Sequence, residues 1–176
     1  GAVRAAVETA ASGADSVLKL PGAFDTKMMD VAGETLSLND IEHGKIRRFG
    51  DPRIHGALVC GSISCPTLRH TPFVGEGLDA ALDAQMSVFL ANGGVSGDKV
   101  AGEVRLSRVF LWYGADFVRP VRMPSLLPAR KSAVLSAIGR WLPRDISSWV
   151  LSDQPKVTFQ SYDWGVGCSI SQPTGD

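Results

Sequence analysis

Residues with chemical potential concentrate around one stretch, Asp51 to Pro66. It holds Cys60 and Cys65, two of the three cysteines, and His55, one of the three histidines. Cysteine is the most nucleophilic side chain near neutral pH when something stabilises its thiolate. Gly61 and Ser62 follow Cys60, and small residues there can turn backbone N–H groups toward a developing oxyanion. This points to a thiol-dependent hydrolase or transferase acting on amide or thioester bonds, with Cys60 as nucleophile. The alternating pattern over Arg53–Cys60 predicts a strand. Ile54, Gly56, Leu58 and Cys60 would share one face, and His55, Ala57 and Val59 the other. On that reading His55 points away from Cys60. The base must then be His43 or His70, brought in by the fold, with His43 preferred and Glu42 or Asp163 as the orienting acid.

Each of these residues also has a plainer reading. Most free cysteines are small buried hydrophobes, and a helical histidine such as His43 is commonly just exposed. Glu42 falls at the margin of an apolar helix face, where a carboxylate is costly unless satisfied. Arg53 and His55 are its nearest candidate partners, and a Glu–Arg pair would serve structure as well as catalysis. Adjacent helical positions diverge by about 100°, so Glu42 and His43 are not expected to pair directly. Trp112 and Asp163 sit in Trp112-Tyr113 and Asp163-Trp164, pairs that suit core anchoring or ligand contact. The binding set is therefore Gly61, Ser62, Cys65, His55, Arg53, Trp112 and Asp163. The main alternative to catalysis is a non-catalytic module recognising a small molecule, a peptide or a protein through the Cys60–Pro66 loop and the proline-rich 120–128 loop.

Zinc is a third reading, since Cys60, Cys65, Cys168 and a histidine offer suitable donors. The spacing lacks the close C-x₂-C or H-x₃-H pairs of common zinc sites, so neither a metal nor a cofactor is expected. No G-x-G-x-x-G follows a strand and no G-K-[ST] occurs, which speaks against nucleotide chemistry. The absence of G-x-S-x-G speaks against a serine-hydrolase elbow.

The elements that must position these groups follow from periodicity and turn residues. Val3, Ala6, Val7, Ala10 and Ala14 predict a helix over 2–12, without a capping residue before it. Lys27–Val31 and Thr35–Leu38 around Ala32-Gly33-Glu34 predict a β-hairpin. A short helix over 39–47 follows, capped by Ser37 or Asn39 and weakened by Gly44. Leu38, Ile41, Ile46 and Phe49 would form its apolar side. The strand over Arg53–Cys60 gives way to a loop reaching about residue 75. Glu76–Asn92 predicts the clearest helix, with Leu78, Ala81, Leu82, Met86 and Phe89 or Leu90 inward and Asn92-Gly93-Gly94 as its stop. Glu103–Val109 is a second strand. After the prolines at 120, 124 and 128, helices are expected over Arg130–Trp141 and Arg144–Leu151, then a strand over Lys156–Gln160. The class is α+β: one domain over 1–176, with a small mostly antiparallel sheet packed with several helices.

Composition bounds the rest. A chain of 176 residues, 44% hydrophobic and 20% charged, can bury a proper core. The formal net charge is zero, and Lys and Arg are scattered, so the electrostatic footprint of a nucleic-acid binder is missing. No apolar run approaches the ~20 residues a membrane-spanning helix needs.

Four stretches taken in order resemble the domain of unknown function 547 family. They are Leu38-Asn39-Asp40-Ile41-Glu42-His43-Gly44, then Asp51 through Cys65-Pro66, then Ser107 through Phe117, and finally Tyr162-Asp163-Trp164. The resemblance covers nearly the whole chain. It implies an upstream helical segment before Gly1, and an exported location where bacterial relatives carry a signal peptide. Plant relatives join the domain to a coiled coil, which implies an interaction role. A distant papain- or transglutaminase-like analogy of fold would place a thiol nucleophile at the start of a helix, whereas Cys60 is expected at a strand end.

Overall fold

The computed structural model describes residues 15–119 and 129–167. The expected helix over 2–12, the 120–128 loop and Cys168 lie outside these residues. The described chain is a mixed α+β fold with two small sheets.

The hairpin forms where Ala32-Gly33 permits it. Strands β1 (Met29–Val31) and β2 (Glu34–Leu36) pair antiparallel, with Val31 opposite Glu34. Both linking residues have positive φ, 51° at Ala32 and 85° at Gly33, the handedness that matches strand twist. Ser37 and Asp40 then exchange side-chain-to-backbone hydrogen bonds: Asp40 N–H donates to Ser37 Oγ at 3.1 Å, and Ser37 N–H to Asp40 Oδ2 at 3.0 Å. This reciprocal cap starts the helical turns. The turns are not regular α-helix. A wide π-type turn spans Asp40–Lys45, and a tight 3₁₀ turn spans Ile46–Phe49. Leu38 and Ile41 face inward as expected, but Phe49 is 82% exposed.

The strand expected over Arg53–Cys60 does not form. Pro52–Gly56 is a 3₁₀ helix whose N-cap, Asp51, accepts the Arg53 N–H at 3.0 Å, with Pro52 at the first helical position. An Asx cap followed by proline is a helix-start signal. It outweighs the alternation that suggested a strand. Leu58–Cys60 continues without regular structure into the loop.

Helix α1 (Leu78–Phe89) buries Leu82, Gln85, Met86 and Phe89 and ends in a wide turn, Leu90–Gly94, where Gly93 takes φ 108°. Strand β3 (Val95–Asp98), not anticipated from the pattern, pairs antiparallel with β4 (Glu103–Leu106). Two short helices follow, α2 (Val109–Trp112) and α3 (Gly114–Val118). Helices α4 (Lys131–Ala137) and α5 (Arg144–Asp153) then carry the chain to β5 (Lys156–Phe159), which lies parallel to β4. The central sheet thus has the order β3-β4-β5.

One core unites these elements. Met86, Phe89 and Leu90 meet Val104 and Leu106 of the sheet, Phe110 and Phe117, and Val134, Ile138 and Trp141. The Pro52–Gly56 turn lies so close to α1 that a Cβ on Gly56 would come within 3.3 Å of the Met86 Cα. Arg53 reinforces this seam. Its guanidinium binds Asp51 and Asp79, at 2.7 and 2.6 Å, and Asp83 at 3.1 Å.

Met86 is fully buried between the turn and the core. Met86→Ala is expected to cost about 2–5 kcal/mol. Chemical denaturation of the two proteins measures this directly, and a cost under about 1 kcal/mol would mean that the seam collapses onto the void.

Candidate functional site

The turns before and after residue 50 form one side of a cavity of about 200 Å³. Leu38, Ile41 and Glu42 come from the Ser37-capped segment, and His55 from the 3₁₀ helix. Leu58, Val59, Cys60, Cys65 and Pro66 come from the loop. The opposite side is built by Val109, Trp112 and Tyr113, with Tyr162 and Trp164 from the segment after β5. Five of the expected site residues therefore share it: Glu42, His55, Cys60, Cys65 and Trp112. Since Pro52–Gly56 is helical, strand parity does not separate His55 from Cys60, and both line the same space.

The loop from Cys60 to Cys65 is folded back on itself. Gly61 adopts φ 89°, and the Cys65 N–H donates to Ser62 O at 3.1 Å. The Cys60 N–H donates to the Cys65 Sγ at 2.8 Å, and the two sulfurs stand 2.8 Å apart. The Cys60 sulfur also meets the Ser62 hydroxyl at 3.1 Å and the Tyr162 hydroxyl at 3.5 Å, and these two hydroxyls are 2.9 Å from each other. Ser62 is buried, as is Gly61 beside it.

Residues 163–167 hold the loop in place. The Ile63 N–H donates to Gly165 O at 2.8 Å, the Ser64 N–H to Asp163 O at 3.3 Å, and the Gly167 N–H to Gly61 O at 3.0 Å. Glycine is required at the crossing, because a Cβ on Gly167 would sit 2.6 Å from the Ile63 Cα. Asp163 shapes this strap: its N–H reaches Ser64 Oγ at 2.9 Å and its carboxylate accepts the Gly165 N–H at 2.8 Å. It does not line the cavity.

The electrostatics of the two thiols diverge. The hydrogen bond from Cys65 lowers the Cys60 pKa most, against the cost of burial; Ser62 and Tyr162 add to the lowering, bringing it to about 6. The same bond to Cys60, with burial, raises Cys65 above the usual thiol range. Together they behave as one dithiol holding one proton more tightly and one more loosely. The lowering favours Cys60, whose sulfur also meets the Ser62 hydroxyl. Tyr162 is pushed up by burial and by the neighbouring thiols, so it stays protonated and can donate.

The His55 Nε2 lies 2.8 Å from the Asp116 Oδ2, and Arg47 grips the same carboxylate through two bonds of 2.6 and 2.9 Å. Burial pushes Asp116 up, but His55 and Arg47 outweigh it and leave its pKa at about 2. The His55 ring stacks on Tyr113 with centroids 4.1 Å apart. Burial, then the charge and hydrogen bond of Glu42, push Tyr113 well above the ordinary tyrosine range. Glu42 lies near Tyr113 and within 4.0 Å of His43, closer to it than helical spacing suggests, and the anticipated Glu42–Arg53 pair does not form because Arg53 is committed to three aspartates. His43, expected as base, is half-exposed, with its Nδ1 4.0 Å from Glu42 and its ring 6.3 Å from that of Tyr113. The partners of the Cys60 sulfur are Cys65, Ser62 and Tyr162 rather than His43. Among the described residues no group of three His, Cys, Asp or Glu is placed to hold a metal. Nor is any helix there long and apolar enough to cross a membrane.

The family model described as protein of unknown function, DUF547, matches residues 3–90. The chain belongs to this family. The matched span contains Glu42, His55, Cys60 and Cys65, while Trp112, Tyr113, Asp116 and Tyr162 come from beyond it. No curated protein and no solved structure matches the chain.

The lowered pKa gives a direct check. In a Cys168→Ser background, the iodoacetamide labelling rate of Cys60 is expected to rise with pH around a midpoint of about 6, because only the thiolate reacts. In Tyr162→Phe and Ser62→Ala the midpoint is expected to move up, toward the ordinary ~8.5 of a thiol. A midpoint near 8.5 in the unaltered site would remove the thiolate from the description.

Proposed function

We propose that the chain is a thiol-dependent transferase or hydrolase in which Cys60 is the nucleophile and the cavity receives the acyl group. One observation carries this reading: the Cys60 sulfur opens onto an apolar cavity while Cys65, Ser62 and Tyr162 stabilise its thiolate. With the thiolate already formed near neutral pH, attack needs no histidine base. That accounts for the absence of His43 from the sulfur's partners.

The step balances simply. The Cys60 thiolate adds to the carbonyl carbon, the C=O electron pair moves to oxygen, and its return expels the leaving group. A thiolate leaves without a proton, whereas an amine must take one in the same step. Among the described residues no histidine is a hydrogen-bond partner of the sulfur that could hand a proton to a leaving amine, so thioesters suit the site better than amides. The Ser62 and Tyr162 hydroxyls, 3.1 and 3.5 Å from the sulfur, are the hydroxyl donors at hand for oxygen charge formed there. Glu42, on the cavity wall, is available to take the proton of the incoming water or acceptor as the acyl-cysteine is discharged. A non-catalytic binding module would use the same cavity, its ligand held against the aromatic trio of Trp112, Tyr162 and Trp164, whose ring centroids lie 4.6 to 5.6 Å apart.

Incubation with a small aromatic thioester tests the reading. An acyl adduct on Cys60 is expected by mass spectrometry, with turnover falling about a thousandfold or more in Cys60→Ala. His43→Ala is expected to change it little. Ligand binding without an acyl adduct would favour the non-catalytic module.

A further inference from the structure

We propose a second activity for this site, thiol–disulfide exchange, in which Cys60 and Cys65 together reduce a small, uncharged, aromatic or apolar disulfide. The proposal shares the nucleophile with the acyl-transfer reading but does not depend on it.

Geometry is the first support. The sulfurs are 2.8 Å apart in a loop already closed by the Cys60 N–H on Cys65 and the Cys65 N–H on Ser62. A disulfide bond is ~2.05 Å and demands close Cβ atoms, so two cysteines join readily only where the backbone has already brought them together. Position is the second support: both sulfurs line the cavity, so a disulfide admitted there meets the attacking thiol and its resolving partner in one place. The unequal proton affinities of the pair then assign the order, Cys60 attacking and Cys65 resolving.

The electrons and protons balance without a further reactant. The Cys60 thiolate attacks one sulfur of R–S–S–R′, forming Cys60–S–S–R and expelling R′–S⁻. Cys65 then attacks the Cys60 sulfur and expels R–S⁻, which takes up the proton that Cys65 gives. The two cysteines are oxidised to one disulfide and the substrate is reduced to one thiol and one thiolate. Once closed, the pair has no thiolate for acyl chemistry until another thiol reduces it.

The walls set the substrate class. Leu58, Val59, Pro66, Trp112, Tyr162 and Trp164 surround the sulfurs, and among the described lining residues there is no lysine or arginine. Glu42 contributes a carboxylate there. A flat neutral disulfide fits such a space, and an anionic one is repelled.

The test uses dithiodipyridine, a neutral aromatic disulfide, on the Cys168→Ser protein so that only the pair reacts. Release of two thiopyridones per chain is expected, leaving a protein lighter by two hydrogens and carrying no adduct. Cys65→Ser and Cys65→Ala are each expected to release one thiopyridone and to keep a pyridyl adduct on Cys60. Dithionitrobenzoate, aromatic but anionic, is expected to react roughly tenfold more slowly once both rates are normalised to free cysteine. Persistence of the pyridyl adduct with Cys65 present, or adducts on both cysteines, overturns the proposal. Equal normalised rates overturn the substrate class. A protein that exchanges disulfides but forms no acyl adduct loses only the acyl reading, and the reverse outcome loses only this one.

Discussion

Asp116, held between the Arg47 guanidinium and the His55 imidazole, ties three separate elements into one site. Arg47 comes from the turn after the first hairpin, His55 from the 3₁₀ helix and Asp116 from α3. Their side chains are 15%, 2% and 15% exposed, so little water is present to compensate a missing partner. Charges in such a place are tolerated only when paired, and loss of one partner leaves the others uncompensated. The arrangement sets more than stability. It lays the His55 ring against Tyr113, and with it the whole 40–56 segment against α2 and α3, which creates the wall facing Cys60.

Local signals made much of the fold legible. Ala32-Gly33 marked the hairpin, Asn92-Gly93-Gly94 marked the end of α1, and spaced apolar residues marked α4, α5 and β5. Over 53–60 alternation alone points to a strand, but Asp51-Pro52, an Asx cap with proline at N1, is the stronger signal and makes the segment helical. The helical turn is what brings His55 to the cavity that Cys60 lines. In the site, Cys60, Cys65, Glu42 and Trp112 were visible from residue type and position. Asp116, Tyr113 and Tyr162 were not identified as parts of it. Tyr162 reaches the sulfur across 102 positions of sequence, and no local pattern records a contact of that range. His43 adjoins Glu42 in sequence and stays within 4.0 Å of it in the fold, but the partners of the Cys60 sulfur are other residues.

Cys65 couples the two chemistries proposed for the site. It stabilises the Cys60 thiolate more than any other neighbour does, and it is also the sulfur best placed to consume that thiolate. A nucleophile activated by a second thiol is therefore sensitive to oxidants in a way that one activated by histidine is not. The aromatic trio and the apolar loop residues limit what reaches either sulfur.

The distance in sequence between Cys60 and Tyr162 has a consequence during synthesis. Ribosomes add about 5–20 residues per second, so roughly 5–20 s separate the two residues on the growing chain. Over that interval Cys60 has its local partners Cys65 and Ser62 on the chain but neither the Tyr162 hydroxyl nor the strap that pins its loop. The complete set of groups around the sulfur is therefore assembled late, when the 162–167 segment docks. The cavity that Cys60 lines is likewise incomplete until Tyr162 and Trp164 have been added to the chain.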